Sequence, residues 1–158
     1  EKLKEAKKLG EGLRTKNDIF YLALAIGMLE NKITLENVKE ILSSTFKNLD
    51  FSNLSDVKFV GDGTYFDFTD KFVEIRPSGT DAKTKAYAGG ANRDELFVFA
   101  KTLGNYSGDL TEEYKKYLSE DYVKSLKEKS VEVYEKFART DEDKREFKIP
   151  NYKDTFLK

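Results

Sequence analysis

Cysteine and histidine are both absent from this chain of 158 residues. Without cysteine, neither a disulfide framework nor a thiolate metal site can form, and a cytoplasmic location is expected. Without histidine, the chain lacks the commonest general base, the commonest transition-metal ligand and the Ser-His-Asp triad. These two absences exclude many hydrolases and most proteins that bind zinc.

Long apolar runs and an excess of either charge are also missing. The longest apolar run, over residues 19–29, has the length of a core helix and is too short to span a bilayer. Lysine and arginine number 28 against 29 acidic residues, for a net charge of −1, whereas a chain that binds many nucleic-acid phosphates should be basic. We therefore expect neither a membrane nor a nucleic acid among the partners.

The spacing of apolar residues predicts where helices lie. Residues 1–16 have little apolar content and are predicted to form a frayed entry segment. Apolar residues then recur at helical spacing over residues 17–31, where Asn17 or Asp18 is the expected N-cap. Further N-caps are predicted at Thr34, Asn92, Thr111 and Ser119.

Between the second and third helices the period changes to the alternation that is typical of strands. Four short strands are predicted around residues 57–59, 66–68, 73–75 and 84–88, with turns at 61–63 and 69–71. The glycines on either side of Asp62 are typical of a hairpin, and one aspartate supplies too few oxygens for a magnesium site. The predicted fold is therefore α+β, an antiparallel four-stranded sheet with helices packed on one face.

The stretch that follows the third strand is the most informative about chemistry. The strand ends with Arg76, because Pro77 cannot donate a hydrogen bond to the sheet. A guanidinium fork suits two oxygens of a phosphate, and the hydroxyls of Ser78 and Thr80 can donate further hydrogen bonds. Gly79 lets an anion approach the backbone N–H groups without a Cβ in the way.

Two nearby lysines, Lys83 and Lys85, add positive charge. Residues 76–80 together with Lys85 are therefore a candidate phosphate site. The same residue types also build ordinary turns, because Pro, Ser, Gly, Thr and Asp are all turn formers. Physical chemistry alone leaves two interpretations: a phosphate site, or a structural turn in a non-catalytic protein-interaction module.

The Arg-Pro-Ser-Gly-Thr sequence at residues 76–80 resembles the phosphate-binding loop near the C-terminus of the α-D-phosphohexomutases, the family of phosphoglucomutase and phosphomannomutase. The acid at 81, the bases at 83 and 85 and the tyrosine at 87 extend the similarity. Where the family has Glu-Pro after the loop, this chain has Asp81-Ala82. Most of the similarity lies within residues 51–105, and the helix that begins near residue 17 resembles the last helix of the family's third domain.

The resemblance implies both a fold and a function. The family's last domain has a topology like that of the TATA-box-binding protein, which we expect here without DNA binding. The full-length enzyme interconverts hexose 1-phosphate and hexose 6-phosphate through a phosphoserine and a bisphosphorylated sugar. The residues that would bind the phosphate of its phosphosugar substrate are Arg76, Ser78, Gly79, Thr80 and Lys85. Mg²⁺ and hexose 1,6-bisphosphate are implied as cofactors bound outside this chain, which is expected to hold no metal and no catalytic residue.

The resemblance also implies a division of the chain. Residues 1–50 would be a helical segment from the end of the third domain, and residues 51–158 the C-terminal phosphate-binding domain with a helical extension. Because the chain begins with Glu1 and not with Met, we expect it to be a piece of a larger enzyme whose remaining domains are its partners. With the neighbouring domain absent, the helix at residues 17–31 is expected to expose apolar surface and to self-associate.

Overall fold

The computed structural model describes residues 14–60, 63–77, 83–126 and 129. The helices of this part of the chain are α1 (Lys16–Leu29), α2 (Leu35–Thr45), α3 (Arg93–Gly104), α4 (Glu112–Lys115) and α5 (Glu120–Lys124). Its strands are β1 (Leu54–Val60), β2 (Gly63–Phe68), β3 (Lys71–Pro77) and β4 (Thr84–Gly90). The predicted α+β fold with an antiparallel four-stranded sheet is confirmed.

The strands form a meander in the order β1-β2-β3-β4, and each neighbouring pair is antiparallel. Val57 lies opposite Phe66, Phe66 opposite Val73, and Val73 opposite Ala88. Because directly opposed residues share a face of the sheet, these side chains form one apolar row across all the strands. The row faces the core that α1 and α3 complete, and the alternate side chains lie on the opposite face, here called the outer face.

Helix α1 lies at the centre of the core. Residues 20–26 of this helix are fully buried. Tyr21 packs edge-on against Phe66 of the sheet with 5.5 Å between ring centroids, and Phe20 packs against Tyr114 at 4.5 Å. Apolar side chains on more than one side of α1 therefore find partners within the same chain.

The expectation that this helix exposes an apolar surface is consequently wrong. Among the large hydrophobic residues of α1, Leu29 at its end is the exposed one. The sheet covers one side of the helix, and the segment that follows α3 covers another. The predicted self-association through this helix loses its physical basis, whereas the origin of residues 1–50 in another domain of a longer enzyme stays a prediction.

The N-cap of α1 is Thr15, and the prediction of Asn17 or Asp18 is wrong. The Thr15 hydroxyl accepts a hydrogen bond from the Asp18 amide at 3.1 Å, and the Asp18 carboxylate accepts one from the Thr15 amide at 2.6 Å. This reciprocal capping box starts the helix earlier than predicted. The Asn17 side chain instead donates hydrogen bonds to the carbonyl oxygens of Leu103 at 2.8 Å and Tyr106 at 2.7 Å. The other predicted caps, Thr34, Asn92, Thr111 and Ser119, are confirmed.

Arg14 and Asp18 form a buried ion pair beside this cap. Arg14 Nη1 lies 2.6 Å from Asp18 Oδ1, and both side chains are almost fully buried. Desolvation raises the pKa of the Asp18 carboxyl, although Arg14 and Thr15 oppose the shift. The pair therefore orients the start of α1 more than it adds net stability, because desolvating two charges offsets their attraction.

The predicted frayed segment is wrong for residues 14–16, which are packed against the fold. Residues 1–13 lie outside the described residues, as do Gly61 and Asp62 of the predicted hairpin turn. In the part of the chain that the structure describes, no helix combines the length and the apolar content that crossing a bilayer requires.

We expect Asp18→Ala to lower the free energy of unfolding by about 3–5 kcal/mol, because it removes both a capping carboxylate and a close ionic partner of a buried guanidinium. Urea denaturation measures this change. Asn37→Ala is the matched control, because Asn37 holds the same position in the solvent-exposed capping box of α2. With no buried charge beside it, Asn37→Ala should cost about 1 kcal/mol. Equal losses in the two variants would contradict the role assigned to the buried pair.

Candidate functional site

The predicted phosphate loop joins β3 to β4, and the structure describes both of its ends. Arg76 lies opposite Lys85, and Pro77 lies opposite Thr84, so the two strands stay paired up to the loop. The predicted site residues that lie outside the described residues are Ser78, Gly79 and Thr80. The structure thus places Arg76 and Lys85, and it brings these two residues side by side.

Arg76 and Lys85 lie on the outer face of the sheet. Side chains alternate between the faces along a strand, and Val73 and Ile75 of β3 belong to the core. Arg76 therefore lies on the outer face together with Glu74, and Lys85 shares that face because it is directly opposed to Arg76. Arg76 is half-buried and Lys85 is exposed, so solvent reaches both cations at this end of the sheet.

The two positive charges oppose each other at the loop end of the hairpin. Like charges at directly opposed positions destabilise an antiparallel pair. Lys85 forms no ion pair with any residue in the described part of the chain. One anion at this end of the sheet could interact with both Arg76 and Lys85.

The neighbouring row of the outer face holds a buried carboxylate between two tyrosines. Tyr65 lies opposite Glu74, and Glu74 lies opposite Tyr87. Glu74 is 1% exposed and Tyr65 is 4% exposed. Burial raises the pKa of Tyr65 to about 12, and the carboxylates of Asp67 and Glu74 add to the shift. Lys58 lies opposite Tyr65 in the same row, and its ammonium lies 3.8 Å from Asp67, so the outer face carries positive charge in this row as well as at the loop end.

On the core-facing side, the start of β4 is bonded to α1. The hydroxyls of Thr84 and Thr15 lie 2.7 Å apart, and either of them can donate the hydrogen bond. Thr15 is also the N-cap of α1, so this bond joins the loop end of the sheet to the first turn of the helix. Thr15, which precedes Thr84 by 69 positions, thus helps to position β4, the strand that contains Lys85.

Sequence reasoning missed Thr15 and Gly63 as neighbours of the candidate site. The apolar pattern predicts a frayed segment at Thr15, although Thr15 and Asp18 have the spacing of a capping box, which is a signal in the sequence. It predicts a turn at Gly63, whereas in the structure Gly63 packs against Arg76. No sequence signal marks that contact, because it depends on the register between β2 and β3.

A separate cleft of about 300 Å³ lies between α1 and α5. The lysines at its rim already have acidic partners, since Lys16 pairs with Asp109 and Lys124 lies 3.8 Å from Glu120. The positive charges around the cleft are therefore compensated. No group of three or more Asp or Glu side chains that could hold a metal ion occurs among the described residues.

Comparisons with protein-family models, with curated proteins and with solved structures found no match to this chain. The resemblance to phosphohexomutases consequently depends on the residues of the loop and its flanks.

We expect Thr84→Val to lower the free energy of unfolding by about 0.5–1.5 kcal/mol, because it removes one hydrogen bond and keeps the shape of the side chain. The bonds between Thr15 and Asp18 remain, so the change isolates the bond to β4. Thr102→Val is the control, because Thr102 is exposed on α3 and should lose less than about 0.5 kcal/mol. Urea denaturation compares the variants, and equal stabilities would show that the Thr15–Thr84 bond does not hold β4.

Proposed function

We propose that this chain is the C-terminal phosphate-binding domain of a phosphohexomutase and holds the phosphate of a hexose phosphate. The observation that supports this proposal most strongly is the register of β3 and β4, which sets Arg76 against Lys85 at the base of an Arg-Pro-Ser-Gly-Thr loop. A phosphate dianion at the base of this loop would interact favourably with both positive charges.

Each residue of the proposed site has a distinct role. Arg76 binds two phosphate oxygens with its guanidinium fork. Ser78 and Thr80 donate hydrogen bonds from their hydroxyls, and Gly79 leaves backbone N–H groups accessible to the anion. Lys85 adds a positive charge from the neighbouring strand.

In the complete enzyme, a phosphoserine of another domain would transfer its phosphoryl group to the sugar phosphate. The bisphosphorylated sugar would reorient and return its other phosphoryl group to the serine. In both orientations the phosphate that does not react must be held at a fixed distance from the serine, so its binding energy is used for positioning. This chain would hold that phosphate, and the remaining domains of the same cytoplasmic enzyme would be its partners. As the resemblance implies, the proposal places Mg²⁺ and hexose 1,6-bisphosphate outside this chain.

We expect the chain to bind inorganic phosphate or glucose 1-phosphate with a dissociation constant of about 1 mM. Binding should be weak because no other domain excludes water from the site, so that solvent and salt screen the charges. Arg76→Ala should abolish detectable binding, because it removes the charge-assisted bidentate contact. Arg76→Lys should restore part of the affinity, because an ammonium cannot present a planar fork. An NMR titration that follows the backbone amides of residues 76 and 78–81 measures these effects.

Lys101→Ala is the control for the loss of one positive charge. The Lys101 ammonium lies 5.5 Å from the ring centroid of Phe97 on α3 and has no role in the proposed site. This variant should bind phosphate like the wild type, whereas Lys85→Ala should bind it more weakly. The proposal fails if the loop amides do not respond to phosphate, or if Arg76→Ala binds phosphate like the wild type.

The chain alone should have no mutase activity, because in this proposal the phosphoserine and the sugar-binding residues belong to other domains. A coupled assay with glucose 1-phosphate, Mg²⁺ and a glucose 1,6-bisphosphate primer should give the rate of a blank. Addition of an active phosphoglucomutase to the same mixture should restore turnover, which shows that the chain does not inhibit the coupling enzymes. Turnover that follows the chain through purification would place catalytic residues within it and overturn this assignment.

A protein-interaction module is the second candidate function, and one observation favours it. Phe97 and Val98 are neighbours on α3 and are 65% and 53% exposed. Exposed apolar side chains that adjoin one another are typical of contact surfaces. Under this alternative the loop at residues 76–80 is a structural turn, and phosphate should leave its amide resonances unchanged.

A further inference from the structure

Gly63 begins β2 beside the side chain of Arg76. A Cβ atom at position 63 would overlap Cγ of Arg76, and it would lie 2.8 Å from the carbonyl oxygen of Ile75. It would also lie 3.3 Å from Cβ of Arg76. Carbon atoms in favourable contact are about 3.5–4.0 Å apart. A side chain at position 63 would therefore displace Arg76 or the backbone of β3.

The backbone conformation of Gly63 is not what requires glycine at this position. Among the described glycines, a positive φ occurs at Gly90 and Gly108, and Gly63 has none. Gly63 is also buried. The absence of a Cβ at position 63 therefore provides space, and the first carbons of the Arg76 side chain occupy that space.

We infer that Gly63 is a positioning residue for Arg76, because its missing side chain leaves room for the Arg76 stem at the start of β2. This inference rests on the proposed function, in which Arg76 binds phosphate. A guanidinium fork contacts two phosphate oxygens only when its orientation is correct. Displacement of a binding group by about 1 Å removes most of its effect. The affinity of the loop for phosphate thus depends on a residue of the neighbouring β1–β2 hairpin.

The test compares Gly63→Ala with Gly104→Ala. A Cβ at Gly104 would meet Cβ of Ala86 at 3.4 Å, which is an ordinary contact with the same sheet away from Arg76. Gly63→Ala should weaken the binding of inorganic phosphate at least tenfold, and the Nε–Hε resonance of Arg76 should stop responding to phosphate. Gly104→Ala should bind within twofold of the wild type. Wild-type affinity in a folded Gly63→Ala variant would overturn the inference.

A double variant decides the question if Gly63→Ala does not fold. Arg76→Ala removes Cγ, which is the atom nearest to the added methyl group. The combination of Gly63→Ala with Arg76→Ala should therefore fold, as Arg76→Ala alone should. A double variant that does not fold, although Arg76→Ala alone does, would show that the methyl group acts on a group other than Arg76, and the inference would be wrong.

The single variant Arg76→Ala separates this inference from the proposed function. If Arg76→Ala binds phosphate like the wild type, the proposed function fails. If Arg76→Ala loses binding while Gly63→Ala retains it, the proposed function stands, and only the positioning role of Gly63 is refuted.

Discussion

The first turn of α1 is the constraint on which the rest of the structure depends. Its cap, Thr15, is hydrogen-bonded to Thr84 at the start of β4. Two residues later, Asn17 holds the carbonyl oxygens of Leu103 and Tyr106 at the end of α3. These groups are buried or half-buried, so a broken bond would leave a polar atom without a partner in the protein interior. One helical turn therefore fixes the β4–α3 unit at both of its ends.

Fixing both ends matters because β4 is an edge strand with little apolar surface of its own. It is bonded to β3 on one side of the sheet. On the side that faces α3 its side chains are small: Ala88 packs against the core, whereas Ala86 is exposed, and small side chains gain little free energy from burial. The large apolar residues that hold this edge in place belong to α3, which buries Phe99 and Leu103. The position of Lys85 relative to Arg76 thus depends on α3 and on the first turn of α1.

The elements of the fold are predictable from the sequence because local interactions specify them. Alternation identifies the strands, and side chains such as Thr34 and Asn92 identify helix starts through bonds to amides a few residues away. The neighbours of α1 are not local. An amphipathic helix with two apolar stripes buries the same residues whether its partner lies in its own chain or in another domain. Periodicity therefore predicts that α1 is buried, and it does not predict which surface covers it.

The candidate site shows how a local pattern and a distant contact combine. Residue type and the following proline identify Arg76, but the position of Lys85 opposite Arg76 depends on the register of β3 and β4. A slip of one residue would turn Lys85 towards the core and Thr84 towards the outer face. That slip would bury a charge and break the bond between Thr84 and Thr15. The register that keeps Thr84 bonded to Thr15 on the core-facing side of β4 therefore also places Lys85 opposite Arg76 on the outer face. The position of Lys85 beside Arg76 is therefore set by packing on the opposite face of the sheet and not by the turn itself.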